Sequence, residues 1–113
     1  MVIQHYRDVE AMIPEEQGVK GVKMRRVIAE KEGAENFVMR VFEVEPGGNT
    51  PLHTHDWEHE VFILSGTAIV VDPSGEHEVK SGDVIFVPGG EEHQFRNESD
   101  KPLEFICLIP MRK

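Results

Sequence analysis

Three of the chain's six histidines fall within the segment His53-Thr-His-Asp-Trp-Glu-His59. Neutral imidazole is the commonest metal-ligating side chain and suits Zn, Cu, Fe, Ni and related ions. His53 and His55 are two apart, so on extended chain both side chains leave the same face. Asp56-Trp57-Glu58 supply a short turn, and His59 opens a run in which Val61 and Ile63 share its parity. A hairpin of this form can bring His53, His55 and His59 to one point near the strand ends. The competing reading of the hairpin alone is a crowded polar loop that binds nothing.

The elements that must position these residues are short and alternate in hydropathy. Ten glycines and seven prolines punctuate apolar-alternating runs over roughly 21–29, 37–45, 59–64, 67–72, 76–80, 83–88, 92–97 and 103–109. Many short strands between turn residues predict an all-β sandwich or barrel. Pro46-Gly47-Gly48, Asp72-Pro73-Ser74-Gly75, Ser81-Gly82-Asp83 and Pro88-Gly89-Gly90 mark the breaks. A turn of helix is expected around Asp8 to Gln17, limited by Pro14. Alternation also sorts faces. Glu43 and Glu45 need water, which turns Val38, Arg40, Phe42 and Val44 inward. Glu104 marks the outer face of the last strand, leaving Leu103, Phe105, Cys107 and Ile109 inside. Ile106 and Leu108 then lie outside, so a second covering layer is expected, from this chain or from another subunit.

Composition narrows the function classes. At 113 residues, with 39% hydrophobic and 29% charged residues, the chain reads as one globular domain, 1–113, with a short N-terminal arm at 1–18. No apolar run approaches the roughly 20 residues needed to span a bilayer. The N-terminal stretch lacks the basic flank and apolar core of a secretory signal. The single cysteine, Cys107, permits no internal disulfide and suits a cytoplasmic setting. A net charge of −9 disfavours nucleic acid and anionic membrane surfaces. The basic run from Lys20 to Arg26 reads as a solvated strand face.

The second half of the chain adds a fourth histidine in a recognisable frame. Gly82-Asp-Val-Ile-Phe-Val-Pro88-Gly-Gly90-Glu-Glu-His93-Gln-Phe-Arg-Asn97 reads as strand, tight turn and strand. With residues 47–66 it resembles the cupin superfamily, whose two motifs are G(X)5HXH(X)3,4E(X)6G and G(X)5PXG(X)2H(X)3N. Gly47, His53, His55 and Gly66 fit the first motif; Gly82, Pro88, Gly90, His93 and Asn97 fit the second. The departure lies at position 59, where the family pattern has glutamate and this chain has His59. Glu60 is one step off and should face the other way; a one-residue register slip would restore it as the ligand. The resemblance, closest to small single-domain microbial four-histidine cupins, implies a jelly-roll β-barrel with His53, His55, His59 and His93 as metal ligands at its mouth.

Four imidazoles would leave a divalent ion its whole double charge, strengthening its pull on anionic oxygen ligands. One divalent transition metal per chain is expected, Mn or Fe first, with Zn, Ni or Cu as alternatives. Four ligands can close a structural zinc site, whereas octahedral Mn, Fe or Ni would keep two positions for substrate, dioxygen or peroxide. Each ligand histidine should donate its other ring nitrogen to a further acceptor. Asn97 is expected to tie down the turn after the second histidine strand. His5 and His77 match no motif and are expected at the surface.

Arg40 is the leading candidate among the remaining pocket residues, because an inward charge needs a partner or a ligand. A rim arginine paired with glutamate is the alternative. Phe105, Cys107 and Ile109 line the cavity or fill the core, and Trp57 shields the site, packs or docks a subunit. Two functions follow. One is an oxidoreductase using dioxygen or peroxide on a small, largely apolar organic substrate, with Arg40 orienting an anionic group or peroxide. The other is a non-catalytic module that binds or senses a metal or small ligand. An epimerase of the tyrosine-acid type is discounted because the sole tyrosine, Tyr6, lies near the terminus, and oxalate-type decarboxylation because the ligand glutamate is replaced. The expected partners are a small-molecule ligand and a second copy, since Phe62/Leu64 and Ile106/Leu108 put apolar side chains on outer faces.

Overall fold

The computed structural model describes residues 1–112, and all eight expected strands are present within it. They are β1 (Lys20–Ile28), β2 (Phe37–Asn49), β3 (His59–Ser65), β4 (Thr67–Asp72), β5 (Gly75–Lys80), β6 (Val84–Val87), β7 (Gln94–Arg96) and β8 (Leu103–Pro110). Every pairing is antiparallel, in the order β5-β4-β7-β2-β8-β3-β6, with β1 added along β2. Among the described residues only two short 3-10 turns, Tyr6–Asp8 and Glu30–Glu32, interrupt this all-β architecture. Among the described residues no helix is long and apolar enough to cross a membrane.

The sheet curls because its longest strand serves both halves. β2 lies between β1 and β8 over most of its length, and its end reaches β7 through Asn49 and Arg96. Pro46-Gly47-Gly48 does not break it, as the turn composition predicts, but forms a bulge inside it. The register passes from Lys20↔Asn49 directly to Val22↔Val44. Glycine is required there because a Cβ on Gly48 would lie 2.6 Å from the Lys20 carbonyl oxygen.

Alternation sorts the faces as the sequence pattern requires. Val44, Val61, Ile63, Phe95, Leu103, Phe105 and Cys107 are buried in one inner cluster. The outer face of β1, β2 and β8 carries a smaller cluster of Val9, Val27 and Val41, packed with Tyr6, Met39, Leu64 and Ile106. The chain's own N-terminal arm therefore supplies part of the second layer. Tyr6 Oη donates to Glu104 at 3.1 Å, and Arg7 bridges Glu43 and Glu104. The expected helical turn at Asp8 to Gln17 is absent; a 3-10 turn lies earlier, at Tyr6–Asp8. Extended pairing prevails because Met12 exchanges two backbone hydrogen bonds of 2.8 Å with Met24, and Arg25 Nε holds the Val9 carbonyl. The basic run is likewise less solvated than expected, since Arg25 pairs with Glu43. Phe62, Val84 and Phe86, on β3 and β6, stay exposed.

Asn97 is fully buried, and both ends of its amide are engaged by the chain around it. Its Nδ2 donates to the carbonyls of Val44 (2.9 Å) and Lys101 (2.8 Å), and its Oδ1 accepts from Ser99 N and Oγ. Asn97→Ala removes the buried donor to the Val44 carbonyl and the acceptor of Ser99, and should cost about 2–3 kcal/mol. Urea unfolding of the metal-free protein measures this as a lower midpoint with an unchanged slope.

Candidate metal centre

Two loops meet at the barrel mouth by main-chain pairing. His53 and His93 exchange backbone hydrogen bonds of 3.2 and 3.0 Å, and Gly90 N donates to the His55 carbonyl. Gly89 backs the same loop so closely that a Cβ there would lie 2.8 Å from the Asp56 carbonyl oxygen. His59 arrives from the first position of β3, where burial alternates: His59, Val61 and Ile63 are inside and Glu60 is exposed. Parity thus excludes Glu60 from the cavity and puts the fourth imidazole where the family pattern has a carboxylate.

The four rings lie together. Centroids are 4.1 Å apart for His53–His55, 4.9 Å for His53–His93 and for His59–His93, and 5.3 Å for His55–His59. His53, His55 and His93 each offer a ligand atom, all within 4.8 Å of one another. His59 stands beside this trio, and its Nε2 is buried without a hydrogen-bond partner. A buried ring nitrogen left unpaired is costly, and a cation shared with the trio would satisfy it.

The far side of each ring fixes its role. His93 Nδ1–H donates to the Glu91 carbonyl at 2.8 Å, leaving Nε2 with its lone pair. His53 Nδ1 lies 2.5 Å from Glu16 Oε2, a carboxylate–histidine contact typical behind metal ligands. His59 Nδ1 lies 3.3 Å from Cys107 Sγ and 3.4 Å from Arg40 Nη2. His55 stacks on Trp57 at 4.2 Å with 13° between planes, and the Arg112 guanidinium lies over the indole ring at 3.8 Å.

Burial keeps three of the imidazoles, those of His55, His59 and His93, neutral. It lowers His55 to about 4, assisted by His53 and His93, and His59 to about 3, assisted by Arg40. His93 is also lowered by burial. Neutral rings are the form that binds metal. Burial raises the Cys107 thiol, against a smaller opposing pull from Arg40.

The rings open into a cavity of about 270 Å³. Arg40, Phe105, Cys107 and Trp57 line it, as do Phe42, Phe95, Met24 and Val22. Ile109 does not: it packs against the inner cluster nearer the end of β8 and borders a separate shallow groove with Phe37 and Pro110. Its parity is inward, and it is spent on packing against that cluster. His5 and His77 lie outside the site, His5 accepting from Arg7 N and His77 beside Asp72 and Ser74. Glu16 escapes sequence reading because Glu15 and Glu16 are alike in type and only the folded arm selects one. Phe42 was legible, since it shares the inward parity of Arg40.

A model of the family described as cupin domain matches residues 40–109. A 1-methylthio-D-xylulose 5-phosphate methylsulfurylase from Rhodospirillum rubrum is 37% identical over 71 residues, 63% of this chain but only 46% of that longer protein. An oxalate-binding protein from Thermotoga maritima is 32% identical over 114 residues, 96% of this chain and 93% of that one. The solved structure of the polyketide cyclase RemF from Streptomyces resistomycificus aligns with a TM-score of 0.94 at 38% identity, covering 99% of this chain and 80% of that one.

The depressed histidines set a pH dependence for the metal-free protein. Unfolded, these rings take up protons near pH 6.5; folded, His55 and His59 wait until about 4 and 3. Between those values the unfolded state binds more protons, so stability rises with pH. The contribution is complete above pH 6.5 and is lost on acidification toward 4. Denaturant midpoints measured from pH 7.5 down to 5 should fall, and His59→Gln should make the fall shallower.

Proposed function

The chain belongs to the cupin family, and from that premise we propose that it holds one divalent transition metal on His53, His55, His59 and His93. We further propose that it uses the ion with dioxygen or peroxide to oxidise a small organic substrate in the adjoining cavity. The observation that carries this is the buried, unpartnered His59 Nε2 beside three imidazoles whose ligand atoms lie within 4.8 Å of each other. Manganese or iron is preferred; zinc, nickel or copper would also accept imidazole. Bound among neutral ligands, such an ion supplies an undiminished double charge as Lewis acid and, for manganese or iron, a redox couple.

The chain's own residues supply the rest. Glu16 and the Glu91 carbonyl engage Nδ1 of His53 and His93 and so aim their Nε2 atoms. Trp57 fixes the plane of His55 by stacking on it. Phe42, Phe95 and Phe105 keep the inner cavity apolar and exclude water from the reacting centre. A second copy is the proposed occupant of the exposed apolar groove formed by Phe62, Val84, Phe86 and Leu108.

A non-catalytic binding module is the second reading, favoured by the near full-length match to a protein named for binding oxalate. Metal analysis after growth with manganese or iron, followed by oxygen-uptake and peroxide-consumption assays over alkenes, phenols and diketones, separates the two. Turnover at full metal occupancy is expected; full occupancy without turnover under either oxidant favours binding alone. His53→Ala and His93→Ala should each weaken metal binding about tenfold or more. His59→Ala should weaken it as well, while Glu60→Gln should not. The reverse result for that last pair would put the ligand register one residue away.

A further inference from the structure

Among the described residues, three buried side-chain nitrogens lack a hydrogen-bond partner: Arg40 Nε, Trp57 Nε1 and His59 Nε2. All three belong to residues lining the histidine cavity. A cation accounts for His59 Nε2. It cannot account for the other two, which are N–H donors and need an acceptor.

Arg40 is the more demanding of the pair. It enters none of the ion pairs among the described residues. Its Nη2 meets only Cys107 Sγ at 3.1 Å and His59 Nδ1 at 3.4 Å, and its guanidinium carbon lies 4.9 Å over the Phe42 ring. Neither supplies a counter-charge. The thiol is a weak acceptor, and His59 Nδ1 carries the ring proton when Nε2 faces a cation and so accepts nothing. A guanidinium, for its part, does not discharge itself by losing a proton. The sole acidic residue among the described lining, Glu16, is engaged on His53 at the rim. A partly buried cation without a counter-charge is a standing cost, and it is removed when an anion enters. Beside Arg40 the wall is flat and aromatic: Phe42 stacks on Phe105 at 5.0 Å and 11°, and Phe105 on Phe95 at 4.8 Å and 22°.

We propose that this cavity takes a small organic anion, an oxyanion on an apolar body, with Arg40 as the residue that selects the charge. Trp57 Nε1 offers a second donor in the same cavity, and the phenylalanine row receives the apolar body. This rests on the proposed function for the identity of the site, and it narrows the substrate from largely apolar to apolar with one anionic end. The net charge of −9 repels anions at long range, but salt screens it beyond about 8 Å, so Arg40 decides locally.

Trp57 is the chain's one tryptophan and lines the cavity, so its fluorescence reports occupancy. Benzoate and its neutral near-isostere benzamide are the probes, titrated into metal-free and manganese-loaded protein. Benzoate should bind about tenfold or more tightly than benzamide in both forms. Arg40→Met should abolish that preference, leave benzamide unchanged and leave manganese content unchanged. Arg40→Lys should keep a reduced preference. Without ligand, Arg40→Met should melt no lower than the parent chain, because it removes an uncompensated charge and retains an apolar stem.

Equal affinity for the two probes, or no benzoate binding at millimolar concentration, overturns the proposal. A preference that survives Arg40→Met and appears only with manganese places the anion on the metal, overturning the role of Arg40 while upholding the metal centre. A preference that depends on Arg40 in protein that takes up no manganese upholds the anion site and counts against the metal centre. An Arg40→Met chain that fails to fold makes Arg40 structural and likewise overturns it.

Discussion

The reciprocal backbone pairing of His53 with His93 is the constraint on which the rest of the site depends. These residues stand 40 positions apart, and neither sits inside a named strand. Their two hydrogen bonds close the barrel mouth and set the spacing of the rings that leave it. Around that pair everything else is oriented: Gly90 N ties in His55, β3 delivers His59 from the side, and the arm brings Glu16 across the opening. Because backbone bonds set this spacing, the arrangement of the rings is largely built into the chain itself, and less ordering cost would fall on binding a metal there.

The cavity separates two kinds of unmet demand. Burial holds His55, His59 and His93 neutral, which prepares them to donate lone pairs. Arg40 stays charged in the same low-dielectric space, and its field helps to keep His59 unprotonated. A dication and an anionic ligand would therefore enter a site that already discriminates between them. Lone pairs face one and N–H groups face the other.

Much of this was legible in the chain itself. All eight strands follow from alternation and turn residues, and strand parity alone chooses His59 over Glu60 for the interior. The inward placement of Arg40, Phe105 and Cys107 follows from the glutamates on the opposite face. What could not be read depends on contacts between distant segments. Glu16 differs from Glu15 only in where the arm lands. Arg112 has no local reason to cover Trp57. Pro46-Gly47-Gly48 carries turn composition, yet the approach of Lys20 converts it into a bulge that lets one strand continue. Ile109 shows the limit of parity: an inward residue can pack against the core without lining the cavity.

The close fit of Gly89 behind the histidine loop has a consequence for altering this protein. With the Asp56 carbonyl 2.8 Å from where a methyl group would stand, position 89 acts as a shim under the segment that carries His55 and Trp57. A side chain at 89 would therefore push on His55 and Trp57 together, from a residue outside the cavity lining.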